Sequence, residues 1–196
     1  MKPYFQDKIV LASQSPRRKE LLEQMGLKIE ILPADIDEAN GKDLEPIALV
    51  KDLSRLKARA VLSKCRDAWV IGADTIVVVD NRILGKPGSE QEAVQMLEVL
   101  TGREHSVLTG FTIGHKKKDK EITRAVETRV QFKSMPGNEI LWYAKSPEPY
   151  DKAGGYGIQG MGGFMVESIC GSYSNVVGLP LCEVMETLVK LGAVQF

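Results

Sequence analysis

Lys8-Ile9-Val10-Leu11-Ala12-Ser13-Gln14-Ser15-Pro16-Arg17-Arg18-Lys19-Glu20-Leu21-Leu22-Glu23-Gln24-Met25-Gly26 is the stretch on which the fold turns. Lys8–Ala12 is short, apolar and uninterrupted, the pattern of a strand in a sheet covered on both faces. Ser15 fits an N-cap, Pro16 a first helical residue, and Lys19–Met25 a helix closed by Gly26. A buried strand running straight into a capped helix is the opening of an α/β chain.

The pattern continues on both sides of a polar stretch, Asp35–Asp43. Leu27–Leu32 precedes it as a second strand, and a helix over about Pro46–Lys64 follows. Ala68–Val79 is a long β-branched run, which Asp80-Asn81 turns into Arg82–Leu84 as a hairpin. Ser89 and Glu92 form a capping-box pattern for a helix ended by Gly102. His105–Ile113 and Ile122–Phe132 then read as antiparallel strands joined by a polar lysine-rich loop. After a short helix near Asn138–Lys145 comes a glycine-dense stretch, Gly154–Gly178, and Asp151–Gly160 at its start shows no helix or strand period. Leu181–Leu191 closes the chain as a helix with Leu181, Val184, Met185, Leu188 and Val189 on one face. The expected fold class is α/β, a mixed twisted β-sheet flanked by helices, with two lobes around a central cleft.

The 196 residues fit a single domain over 1–196, with 43% hydrophobic and 27% charged residues, enough for an ordinary core. Lys plus Arg and Asp plus Glu each total 26, so the net charge is zero. A global basic field is absent, any anion site must be local, and nucleic acid is not an expected partner. Three lysines in the loop at 115–120 read as a solvated edge. Cys65, Cys170 and Cys182 lack metal or disulfide spacing. No apolar run reaches membrane length and no leader pattern precedes the first charges, so a cytoplasmic protein without a membrane partner is expected.

Chemistry concentrates at a few positions. Arg17 and Arg18 stand in the first turn of a helix, where the dipole disfavours cations by about 0.3–1 kcal/mol each and favours anions. Two arginine forks beside unpaired backbone N–H groups suit a phosphate. Because each opposes its own helix dipole, loss of Arg18 is expected to leave stability unchanged or slightly raised. Asp74 lies in the apolar run Ile71–Val79, where a carboxylate is costly unless paired, hydrogen-bonded or on a metal. It could hold Mg²⁺ or take a proton from water. Gly72 and Ala73 leave room for a ligand or another backbone. Lys57 shares a helical face with Val50, Leu53 and Val61, so it either snorkels or meets an anion. Lys86, in Leu84-Gly85-Lys86-Pro87, returns with the hairpin towards the strand carrying Asp74. Asp35-Ile36-Asp37-Glu38 reads by itself as a solvated turn; as the alternative it supplies a second metal carboxylate, for which Glu38 is the choice. The amide of Gln159 carries donors and an acceptor that match a pyrimidine edge. No role is expected for His105 or His115.

Together these motifs resemble the Maf family of nucleoside triphosphate pyrophosphatases. The resemblance rests on SxSPRRxxLL at Ser13–Leu22, GADTIV at Gly72–Val77 and LGKP at Leu84–Pro87. TGREHSV at Thr101–Val107, EPxDKAGxYGIQG at Glu148–Gly160 and GSYxNVVGLPL at Gly171–Leu181 complete it. It implies hydrolysis between the α- and β-phosphates of a nucleoside triphosphate, with a divalent cation, Mg²⁺ or Mn²⁺, as cofactor. It places the catalytic acid on Asp74, phosphate-binding groups on Ser13, Arg17, Arg18, Lys57 and Lys86, and an acidic metal residue on Glu38. Subfamily residues fall on Arg17, Thr75 and Gln159, and their combination resembles the branch acting on dTTP and UTP. A branch acting on 7-methyl-GTP ranks second. A non-catalytic nucleotide-binding regulator linked to septum formation is the alternative from another class. The resemblance also implies a homodimer, for which no apolar stripe in the sequence supplies an interface.

Overall fold

The computed structural model describes residues 4–5, 7–36 and 44–195. In chain order the elements are β1 (Tyr4–Phe5), β2 (Ile9–Leu11), α1 (Pro16–Gln24), β3 (Ile29–Ile31) and α2 (Pro46–Leu62). β4 (Trp69–Val79), β5 (Arg82–Leu84), α3 (Glu90–Leu100), β6 (Glu104–His115), β7 (Lys120–Phe132) and α4 (Gly137–Ala144) follow. Three short 3-10 helices then lead to β8 (Val166–Cys170), α5 (Tyr173–Val177), α6 (Leu181–Leu191) and β9 (Val194–Gln195). The main sheet runs β3-β2-β4-β6-β7-β8, with β5 paired to β4. β2 is parallel to both β3 and β4, while β5 is antiparallel to β4 and β8 to β7. The sheet is therefore mixed and helix-flanked, as the sequence led us to expect.

The chain forms two compact units. The first comprises residues 1–74, 109–126 and 178–196, and the second residues 75–108 and 127–177. β4, β6 and β7 each contribute residues to both. In the first unit, Ile9, Val10 and Leu11 of β2 are all buried, the property that let this strand be read without alternation. Val10, Ala12 and Val70 pack there with Ala58 and Val61 of α2. In the second unit, Val77 and Val79 of β4 pack with Leu97 and Leu100 of α3, Phe132 of β7 and Tyr143 of α4.

Local chemistry explains several boundaries. Asp80 and Asn81 both take positive φ, 49° and 59°, as a two-residue hairpin turn needs, and Val79 pairs with Arg82 across it. Ser89 Oγ accepts the Glu92 N–H at 3.2 Å. The Glu92 carboxylate answers at Gly88 N, 2.7 Å away, one residue before the position a capping box would use. In α6 the buried stripe is Val184, Met185, Thr187, Leu188 and Leu191. Val189, expected on the apolar face, is 42% exposed.

The glycine-dense stretch holds more regular structure than its sequence suggests, namely the 3-10 helices Ala153–Gly155 and Gly160–Met165, β8 and α5. Strand β8 has no apolar alternation to reveal it: Glu167, Ser168 and Cys170 are exposed, and its order comes from the ladder to β7.

Candidate active site

The first unit holds five of the expected residues, Ser13, Arg17, Arg18, Lys57 and Asp74. Ser15 is the N-cap of α1 and Pro16 its first residue, as read from the sequence, but the Ser15 side chain makes no cap bond. Instead its N–H donates to Ser13 Oγ at 3.2 Å. Pro16 has no N–H, and the first turn holds no acidic residue, so the positive end of this helix carries no carboxylate of its own.

Arg18 departs from the expected stability-neutral role. It is buried, its Nε donates to the Gly178 carbonyl at 2.8 Å, and its Nη1 donates to the Ala73 carbonyl at 2.8 Å and to Ser13 Oγ at 3.1 Å. The guanidinium thus ties α1 to the strand at the residue before Asp74. The dipole penalty, below about 1 kcal/mol, is outweighed, because truncation strands acceptors in buried surroundings at about 1–3 kcal/mol each. Arg18→Ala is expected to lose about 2–4 kcal/mol of unfolding free energy on that scale. The measurement is the urea midpoint at unchanged slope; a midpoint equal to the parent's would show that the brace contributes nothing.

Asp74 lies within β4, not beyond its end, and is 8% exposed. Its carboxylate meets Lys57: Nζ donates to Oδ1 at 2.6 Å, and both side chains are 12% exposed. Lys57 therefore neither snorkels nor waits alone for an anion. Two glycines let α2 come close enough. A Cβ at Gly72 would stand 2.4 Å from the Ser54 carbonyl oxygen and 2.6 Å from the Ala58 nitrogen. One at Gly110 would stand 2.0 Å from the Val50 carbonyl oxygen. The space at Gly72 thus serves a second backbone, that of α2. Strand alternation turns Thr75 to the face opposite Asp74.

The second unit holds Lys86 and Gln159. Lys86 is exposed and follows β5, and the carbonyl of its neighbour Gly85 accepts the Gly154 N–H at 2.9 Å. The LGKP turn and the glycine-rich loop are joined there. Gln159 is half-buried in extended backbone ahead of the 3-10 helix Gly160–Met165, and its side chain makes no cap bond to that helix.

His105 has a structural place that the sequence did not reveal. It is 3% exposed, its ring nitrogen Nε2 and the Tyr156 hydroxyl lie 2.7 Å apart, and burial pushes its pKa down to about 4. Edge contacts with Phe132 and Tyr156 fix the ring. Through Tyr156, the strand β6 holds the glycine-rich loop. Glu148 and Tyr143 also went unread, although Glu148 stands inside the EPxDKAG motif.

Glu38 lies outside the described residues. Among the described residues no group of three or more His, Cys, Asp or Glu is placed to hold a metal ion, and no helix is long and apolar enough to cross a membrane.

A family model described as Maf-like protein matches residues 8–191. A dTTP/UTP pyrophosphatase from Syntrophus aciditrophicus is 50% identical over 190 residues, 97% of this chain and 93% of the relative. One from Geotalea uraniireducens is 48% identical over 187 residues, 95% of this chain and 96% of the relative. Among solved structures, a HAM1 protein from Coxiella burnetii aligns with a TM-score of 0.48 at 19% identity, covering 66% of this chain and 74% of that one.

Proposed function

Because this chain belongs to the Maf family, we propose that it hydrolyses dTTP and UTP to the monophosphate and pyrophosphate. The observation that carries the reading is local. A carboxylate and a lysine 2.6 Å apart lie in the same unit as a two-arginine helix start, and Arg18 bonds the residue beside that carboxylate.

Cleaving the α–β anhydride needs neutralised phosphate oxygens, a positioned water and a stabilised leaving pyrophosphate. Arg17 and the first-turn N–H groups of α1 are suited to one phosphate. Arg18 holds that turn in place and adds its positive charge to the field at the same anion. Lys57 and Lys86 supply further positive charge along the triphosphate, and Ser13 a hydroxyl at the helix start. Asp74 orients the attacking water or accepts its proton. Thr75, Arg17 and Gln159 select the base, with the Gln159 amide meeting the acceptor–donor–acceptor edge of uracil or thymine.

The donor set fits a divalent cation that arrives with the substrate. Mg²⁺ is characteristically held by one or two carboxylates together with substrate phosphates, and Asp74 would be the described carboxylate to hold it, with Glu38 the second acid that the family resemblance implies. When bound, Mg²⁺ or Mn²⁺ would polarise the phosphoryl oxygens.

One panel tests the reading: kcat/KM for dTTP, UTP, CTP, dATP and 7-methyl-GTP with Mg²⁺, by pyrophosphate release, for the parent and Gln159→Ala. The parent should prefer dTTP and UTP. Loss of one amide pairing should erode that preference by roughly 2–30-fold. No pyrophosphate from any triphosphate would leave a nucleotide-binding regulator. A parent preference for 7-methyl-GTP would move the chain to the other branch, and a common fall on all five would make Gln159 a loop residue only.

A further inference from the structure

We propose that Glu148, acting with Tyr143, is the positioning residue that sets Gln159 for base selection; this rests on the base-reading role proposed for Gln159. Neither residue has been assigned a part in the phosphate chemistry above. Their hydrogen bonds instead close the loop that carries Gln159, on both of its sides.

On the far side of Gln159, Met161 N–H donates to Glu148 Oε2 and Gly162 N–H to Glu148 Oε1, both at 2.9 Å. On the near side, Gly157 N–H donates to the Tyr143 hydroxyl at 3.3 Å, and that hydroxyl donates to Glu148 Oε1 at 3.0 Å. One carboxylate and one phenol thus collect the backbone donors two residues before Gln159 and two and three after it. Tyr143 is fully buried and anchored in the core of its unit. Burial and the neighbouring Glu148 hold its hydroxyl well above the usual phenol range, so it remains a donor at neutral pH.

The glycines fit this clamp. Gly160 has φ +73°, and a Cβ there would stand 2.8 Å from Glu148 Oε2. A Cβ at Gly162 would meet the Gly157 carbonyl oxygen at 2.3 Å and the Tyr143 hydroxyl at 2.8 Å. The loop is closed tightly around the pair, and the Gln159 side chain is not spent on capping the helix that follows. Fixing the backbone on both sides lowers the conformational freedom that Gln159 must lose when it meets a base.

Glu148→Gln keeps the shape but turns one of the two acceptors into an NH₂ donor, so one of the Met161 and Gly162 N–H groups loses its partner. Tyr143→Phe keeps the buried ring and removes the hydroxyl. Each variant should reduce the ratio of kcat/KM for dTTP to kcat/KM for dATP by about 3–10-fold, mainly through KM for dTTP, with dATP falling much less. In a Gln159→Ala background neither change should reduce the ratio further. The proposal is overturned if both variants lower dTTP and dATP turnover by one common factor. It is also overturned if both keep the parent ratio while Gln159→Ala erodes it, which leaves the reading of Gln159 standing. If Gln159→Ala itself keeps the parent ratio, the base-reading role fails and takes this proposal with it. Should Glu148→Gln not fold, Tyr143→Phe carries the test.

Discussion

Asp74→Asn is expected to remain folded and to bind nucleotide while turnover falls by about 10²-fold or more, the scale of a lost positioned base or metal carboxylate. Asn fills the same volume in β4 and still offers an oxygen to Lys57 Nζ, which now bonds Asp74 Oδ1 at 2.6 Å. What vanishes is the charge. The Lys57 ammonium, whose side chain is 12% exposed, loses its counterion, so the melt should move down, with a loss on the order of 1–3 kcal/mol. Two measurements separate the effects: a thermal melt, and single-turnover pyrophosphate release at saturating nucleotide and Mg²⁺. Near-parental release would remove Asp74 from the chemistry.

The larger effect on the fold should come from a single methyl group. Gly72→Ala places a Cβ 2.4 Å from one backbone atom of α2 and 2.6 Å from another, so no side-chain rotation relieves the clash. Overpacking commonly costs about 1–3 kcal/mol when side chains can yield; here a helix must move, and a loss of about 3 kcal/mol or more is expected. Because α2 carries Lys57, activity should fall even where the variant still folds. Gly137→Ala is the control, since a Cβ there meets nothing within 4 Å and stability should stay within about 0.5 kcal/mol. A Gly72→Ala protein as stable and active as the parent would mean that α2 does not lie as close as described.

These two residues also mark how far the sequence could be read. Elements governed by local chemistry were legible: the β2–α1 junction from Pro16, the hairpin from Asp80-Asn81, and the α3 start from Ser89 and Glu92. Asp74 was legible because a carboxylate in an apolar run demands a partner. The identity of that partner was not, since it depends on how α2 docks, and docking is set by Gly72 and Gly110, whose meaning lies in the missing Cβ atoms. Arg18 was misjudged for stability for a related reason. Its dipole penalty is local and readable, whereas its acceptors, Ala73 and Gly178, are 55 and 160 residues away. Strand β8 stayed hidden because half-exposed polar residues take their order from a ladder, and Glu148 because it works on backbone N–H groups, which carry no residue identity.

The bond from Arg18 to the Gly178 carbonyl has a consequence for how this protein comes into being. Synthesis proceeds from the N-terminus, so residues 75–108 and 127–177, the whole of the second unit, have been made before Gly178 exists. The first unit begins the chain yet is completed only by residues 178–196. Until they emerge, the Arg18 guanidinium lacks one of its acceptors and α1 one of its anchors. A nascent chain halted just short of residue 178 therefore carries every residue assigned to the triphosphate, but without the carbonyl that braces Arg18. On the ribosome, the bond that braces Arg18 can form only after residue 178 has emerged, although α1 itself is made early.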